Sequence, residues 1–230
     1  KPRVSEQAAS LTPHPPLADY YATAENRRGF VRDIFNHTAP DYDRVERVLA
    51  FGSGPWYRRR ALVRSGLQPG MRVLDVAMGT GLVAREAMAL VGTAGQVIGL
   101  DPSIGMVSEA KRTLELSVVL GRGELLPLQA QTFNFLSMGY ALRHVSDIDA
   151  AVREYFRVLK PGGWFIASDW LIGHEGEPSP QMADYIRSEG LDFGMASPAR
   201  YQDAMEKAGF VDIGVTSRNS WYRETARTEL

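Results

Sequence analysis

"VLDVAMGTGLVAREA", residues Val73–Ala87, is the stretch that decides the fold. An apolar run carrying one carboxylate, Asp75, ends in a tight Gly79-Thr80-Gly81 turn, and the residues that follow have helical periodicity. Strand, glycine turn and helix in that order open a doubly wound α/β unit, and the rhythm repeats downstream. Strands are predicted at 72–77, 96–100, 117–120, 132–138 and 164–168, with helices over 83–90, 104–114 and 148–159 among them. A helix over 198–208, the turn "EKAGF" and a strand over 210–217 are expected to close the sheet. This alternation predicts a mostly parallel sheet covered on both faces, with ligands at the carboxyl ends of its strands.

Upstream of that unit the pattern differs. Residues 1–24 are proline-rich and aperiodic, and read as a loose arm. Phe30, Val31, Ile34 and Phe35 fall at helical spacing, and Val45, Val48 and Leu49 form a second helix with Asp41 as its cap. "FGSGP" breaks the chain before a third helix over 56–64, which would carry Arg58, Arg59 and Arg60 on a solvated face. Residues 25–66 are thus expected to form a helical lid hinged at the glycines, and 67–230 a Rossmann-like domain.

Composition narrows the ligands. Lys plus Arg number 26 against 27 Asp plus Glu, so no basic field recruits nucleic acid, and a small molecule is the expected partner. The absence of cysteine excludes disulfides and thiolate metal sites, and it fits a reducing, cytoplasmic setting. No apolar stretch approaches the roughly 18 residues needed to span a bilayer, which leaves only peripheral membrane contact. No signal-peptide pattern is visible, and a start at Lys1 rather than Met leaves room for a preceding segment. Oligomeric state is not encoded in any of these features.

Gly79, Gly81 and Ala84 satisfy the dinucleotide pattern G-x-G-x-x-G/A, with Asp101 about 20 residues further on. Asp75 argues against a dinucleotide, because a carboxylate at the strand tip would face its doubly negative pyrophosphate. A ligand with an ammonium group would gain a charge-assisted hydrogen bond there instead, and S-adenosylmethionine carries one at its methionine end. Gly79 and Gly81 allow close backbone approach, Thr80 adds a donor, and Asp101 can accept from both ribose hydroxyls. The plainer alternative is that Asp75 and Asp101 cap the helices that follow them.

"VLDVAMGTG", "VIGLDPSIGM", "GELLPL", "ALRHVSD" and "RVLKPGG" together resemble a class I S-adenosylmethionine-dependent methyltransferase. With "VRDIFNHTAPDYDRV" and "FGSGPWYRR" upstream, the resemblance narrows to the ubiquinone/menaquinone biosynthesis C-methyltransferases, from about Gly29 to Asp169. It implies that Asp75, Ala77, Gly79 and Gly81 surround the methionine end, Asp101, Pro102 and Met106 the ribose and adenine, and that Tyr42 covers the cofactor. Met106 reads equally as a core residue. Where the family carries an acid or amide toward adenine this chain has Arg122, which cannot accept a hydrogen bond, so Gly123 or Glu124 takes over or the adenine binds differently. Leu82 replaces a frequent Asp, Glu46 a frequent Asn, and the tail "RNSWYRETARTEL" departs from the family ending.

Methyl transfer asks a protein mainly to position and desolvate the nucleophile. "YALRHVSD" offers Arg143 to stabilise an anionic oxygen and His144 as a base; otherwise Arg143 pairs with Asp147 or Asp149 and His144 caps a helix. Trp164, Trp170, Phe193 and Trp221 could line an aromatic pocket. The expected reaction is methylation of a small or lipid-like aromatic acceptor such as a quinol or phenol, without a metal. An N-methyltransferase of a small amine and a cofactor-binding protein without catalysis are the alternatives.

Overall fold

In a computed structural model, the described residues are 24–49, 53–174, 176, 178–189 and 196–220. Five parallel strands form one sheet in the order β3-β2-β1-β4-β5: β1 (Arg72–Val76), β2 (Gln96–Asp101), β3 (Ser117–Leu120), β4 (Phe133–Gly139) and β5 (Leu159–Ser168). The order reverses between β1 and β4, and a ligand crevice opens at such a switch point. In the register there, Asp75 faces Ser137 across the two strands.

Helices cover both faces. α3 (Leu82–Val91), α4 (Ile104–Thr113) and α2 (Gly54–Arg64) pack on one, through Ala84, Ala87, Ala110 and Leu62 against Val73 and Phe135. α5 (Ile148–Val158) and α7 (Pro198–Ala208) pack on the other, through Tyr155 and Tyr201 against Phe133 and Leu136. α6 (Pro180–Glu189) is an element with no counterpart among the predicted helices.

Three predicted elements are corrected. The two N-terminal helices are one, α1 (Ala24–Leu49), which runs through Pro40. An interior proline costs about 3 kcal/mol in an isolated helix. Here tertiary contact offsets it: the Asn36 side chain accepts from Ser103 Oγ at 2.8 Å and from the Gly105 amide at 2.9 Å, pinning α1 to the start of α4. Secondly, β5 begins at Leu159 rather than Trp164, because "LKPGG" is a bulge in which Phe133 pairs with Leu159 but Phe135 with Trp164. Gly162 takes φ +74° to make it. Thirdly, 210–217 forms no strand. Phe210 packs on Phe156 and Phe165, then Asp212 turns the chain at φ +55° and leaves Val211 and Val215 exposed. β-propensity without a paired neighbour does not make a strand. The arm at 1–23, and Phe193 and Trp221, lie outside the described residues.

Candidate functional site

A cavity of about 180 Å³ opens at the carboxyl end of β1 and β4, roofed by α1 and α2. β1 and its turn bring Asp75, Ala77, Gly79 and Thr80 to its wall, and α1 adds Tyr42. Of the remaining sequence-predicted residues, Gly81 caps α3 at φ +88°, with Leu114 packed where a Cβ would stand. Asp101, Pro102, Met106, Gly123, Glu124, Arg143 and His144 are not on the cavity wall.

Asp75 is buried, and one oxygen accepts from the Ser137 hydroxyl at 2.7 Å. The other, Oδ2, is buried with no hydrogen-bond partner. Burial raises its pKa to about 7, with a smaller push from Asp101, against the lowering pull of the Ser137 hydroxyl and the Ala84 amide. A carboxylate oxygen in the interior without a donor is costly, and an ammonium would supply one. Beside it, Ala77 at φ +52° and Tyr140 at φ +56° line the same cavity, each at the end of a strand. Non-glycine residues in this conformation store strain that gathers at functional sites.

Asp101 sits behind the turn. Its oxygens accept from the Gly79 amide at 2.9 Å and the Ser103 amide at 2.8 Å, and burial still pushes its carboxyl above the usual range. Two of a carboxylate's four acceptor positions remain for hydroxyls. Gly79 needs its left-handed φ of +58° to aim that amide. Thr80 donates to Asp43 of α1, which ties the roof to the turn. Met106 is buried in α4, as a core residue would be. Arg122 is exposed, while the Glu124 carboxylate accepts from the Ser146 amide at 3.0 Å.

In the loop after β4 the expected ion pair and helix cap are replaced by others. Arg143 pairs with Asp169 at the end of β5, whose side chain is 0% exposed, rather than with Asp147 or Asp149. Asp147 caps α5 through the Ala150 amide, and Asp149 binds Arg200 at 2.6 Å. The N-cap of α5 is thus Asp147 and not His144, whose ring stands edge-on to Phe35 of α1, 5.6 Å between centroids. Trp164 and Trp170 are about half exposed and absent from the cavity wall, so the expected tryptophan-lined pocket does not form from them. Tyr42, Tyr57, Tyr140, Leu62, Met138 and Ile166 make an apolar wall instead.

Sequence reasoning missed Ser137 and the pair Glu46–Arg58, which also lines the cavity. A signal existed for Arg58: it lies four residues before Leu62, so it shares the buried stripe of α2 that Arg59 and Arg60 leave.

Residues 21–170 match the ubiE/COQ5 methyltransferase family. The chain belongs to that family. It is an S-adenosylmethionine-dependent methyltransferase. Over 220 residues it is 36% identical to a demethylmenaquinone methyltransferase of Symbiobacterium thermophilum, covering 82% of this chain and 87% of that enzyme. A ubiquinone/menaquinone biosynthesis C-methyltransferase UbiE of Shewanella frigidimarina is 35% identical over 147 residues, 61% of this chain and 59% of that enzyme's length. In fold, the chain is similar to phosphoethanolamine N-methyltransferase 2 of Haemonchus contortus, with a TM-score of 0.65 at 24% identity over 74% of this chain and 40% of that one. Among the described residues no helix is long and apolar enough to cross a membrane, and no group of acidic or histidine side chains could hold a metal ion.

Proposed function

We propose that this methyltransferase methylates a ring carbon of a reduced, demethylated quinone, in the cavity between the β1–β4 crevice and the α1–α2 roof. The observation that carries the reading is the unpartnered Oδ2 of Asp75 on the wall of that cavity. The two quinone methyltransferases at 36% and 35% identity support the acceptor class.

Asp75 holds the α-ammonium of the methionine end, with Ala77, Gly79, Thr80 and Gly81 close around it. Asp101 accepts the ribose hydroxyls. Pro102, Met106, Gly123 and Glu124 flank the base, and Tyr42 covers the cofactor from α1. When bound, S-adenosylmethionine supplies an electrophilic methyl group on a sulfonium. Apolar side chains of the chain exclude water and hold a flat ring against the cofactor's methionine end. α1 and α2 act as a lid over both. Arg143, engaged by Asp169, and His144, against Phe35, fix the loop that carries Tyr140 and the underside of α1. The three tyrosines and Glu46 would also suit a small ammonium acceptor. Arg58 on the same wall repels a cation and favours the quinol.

The test is methyl transfer from labelled S-adenosylmethionine to demethylmenaquinol, with mass spectrometry of the product. A ring-methylated quinol is the expected outcome; transfer to an amine and to no quinol would refute the proposal.

A further inference from the structure

Glu46 and Arg58 form an ion pair of 2.6 Å between α1 and α2, with side chains only 27% and 15% exposed, on the wall of the cavity that Asp75 also lines. As a structural staple the pair makes little sense. Desolvating two charges offsets most of their attraction, and apolar replacements of similar volume are often neutral or stabilising. Two further features point to a ligand. Arg58 Nε is buried with no hydrogen-bond partner, so the guanidinium has a donor left to give. Gly54 is buried over the pair, and a Cβ there would lie 2.3 Å from Glu46 Oε1 and 2.8 Å from an Arg58 nitrogen. The backbone thus approaches the pair more closely than any side chain would permit.

Resting on the quinol reading above, we propose that this pair is the acid–base and anion site for the acceptor: Glu46 takes the proton of a ring hydroxyl and Arg58 holds the oxygen left behind. Before the reaction the guanidinium faces a carboxylate. After proton transfer it faces a phenolate, and the carboxyl is neutral. Net charge in the cavity is unchanged, which removes the main penalty for ionising a phenol in an apolar site. The ring carbon next to that oxygen then forms its bond to the methyl group, and the electron pair of the broken S–CH₃ bond stays on sulfur, leaving a neutral thioether. Loss of the ring C–H proton to water restores the aromatic ring, and Glu46 returns its proton to the oxygen. One proton is released per methyl transferred. The acceptor class that follows is an aromatic ring with an ionisable hydroxyl beside the methylated carbon.

Charged neighbours of the pair lie on two sides. On the outer side Asp43 and Arg47 of α1 and Arg85 and Glu86 of α3 line an adjoining groove with it. On the inner side are Asp75 and the phenols of Tyr42, Tyr57 and Tyr140. Glu46 and Arg58, with Leu82, line both spaces.

The experiment uses two probes on the whole chain with S-adenosylhomocysteine or S-adenosylmethionine present. With 1,4-naphthalenediol as acceptor, Glu46→Gln should lower kcat by about 10²-fold or more while leaving S-adenosylhomocysteine affinity unchanged. Its rate should climb with pH as solvent ionises the diol, and Glu46→Asp should recover part of the loss. With 4-nitrophenol, whose phenolate absorbs apart from the neutral form, wild type should bind the phenolate preferentially. Glu46→Gln should bind it more tightly because a competing anion is gone, Arg58→Lys should retain most of the preference, and Arg58→Gln should lose it. A Glu46→Gln enzyme with wild-type kcat and pH profile overturns the assignment. So does the absence of phenolate preference in wild type, whatever the activity. Phenolate binding that depends on Arg58, without methylation of the diol, supports the pair and refutes the quinol acceptor.

Discussion

Asp75 is where pH should report most directly on cofactor recognition. Its ligand-free carboxyl is half ionised at about pH 7, and the proposed role requires the anion. Roughly one site in eleven is ionised at about pH 6 and about three-quarters at about pH 7.5, so affinity for S-adenosylmethionine should rise about eightfold across that range. The range stops there because an α-amino group itself titrates at about 7.7–8.0. Binding at about pH 6 should release about 0.9 proton per ligand, and calorimetry in two buffers of different ionisation enthalpy measures it. Asp75→Asn should abolish both the proton release and the pH slope, and weaken binding at about pH 7.5 by about 1–3 kcal/mol. Stability should move the opposite way. A carboxyl raised in the folded state contributes stability that is full below the ordinary carboxylate range and is lost as pH rises through about 7. The rise from 3.8 to about 7 corresponds to roughly 4 kcal/mol, a ceiling on what Asp75→Asn regains at higher pH. Melts of the ligand-free proteins at about pH 8 should therefore show Asp75→Asn as the more stable. An undiminished pH slope in Asp75→Asn, or a less stable variant at that pH, would refute the reasoning.

Gly105→Ala would place a Cβ 2.7 Å from the Asn36 backbone, so α1 must shift. The expected result is a loss of about 1–3 kcal/mol in a denaturant melt and faster hydrogen exchange over 24–49; normal exchange would count against this docking. Arg143→Ala strands the fully buried Asp169, which the Arg143 and Trp170 amides still partly satisfy. It should cost about 3 kcal/mol, and Arg143→Met with Asp169→Leu should recover most of it; equal losses in the two proteins would show that the pair is not the cause.

What was legible in the sequence is what local pattern controls. Each apolar run from 72 to 138 is bounded by turn residues, and the strands end within two residues of where periodicity puts them. Asp75 was conspicuous as the charge in an apolar strand. Its partner Ser137 was not, because a contact across 62 positions exists only once the β1–β4 register is set. The same holds for Arg143, whose acid lies 26 residues on at the end of the neighbouring strand, and whose nearer candidates are taken by a cap and by Arg200. Pro40 and 210–217 show tertiary context overruling a local rule in each direction: docking on α4 keeps a helix through a proline, and a left-handed Asp212 with no neighbouring strand undoes a β-branched run. Arg58 hid in a run of three arginines of which only one faces inward.

The residues that break local rules are informative because a fold selected for stability alone would not keep them. Asp75 and Arg58 each leave a buried polar atom without a partner, and Ala77 and Tyr140 hold left-handed backbone, all four on the wall of one cavity. The two unpartnered atoms differ in kind: one is an acceptor on a carboxylate, the other a donor on a guanidinium. In the proposed arrangement two ligands share them, with the α-ammonium of the cofactor on the β1 side and an ionised hydroxyl of the acceptor on the α2 side. With Asp75 holding the cofactor and Arg58 the oxyanion, the cofactor's sulfonium would be attracted toward the ring carbon beside that oxygen. In this arrangement removing either charged residue should lower the rate more than it lowers the affinity of the ligand on the opposite side, because the attraction grows only as the phenol ionises.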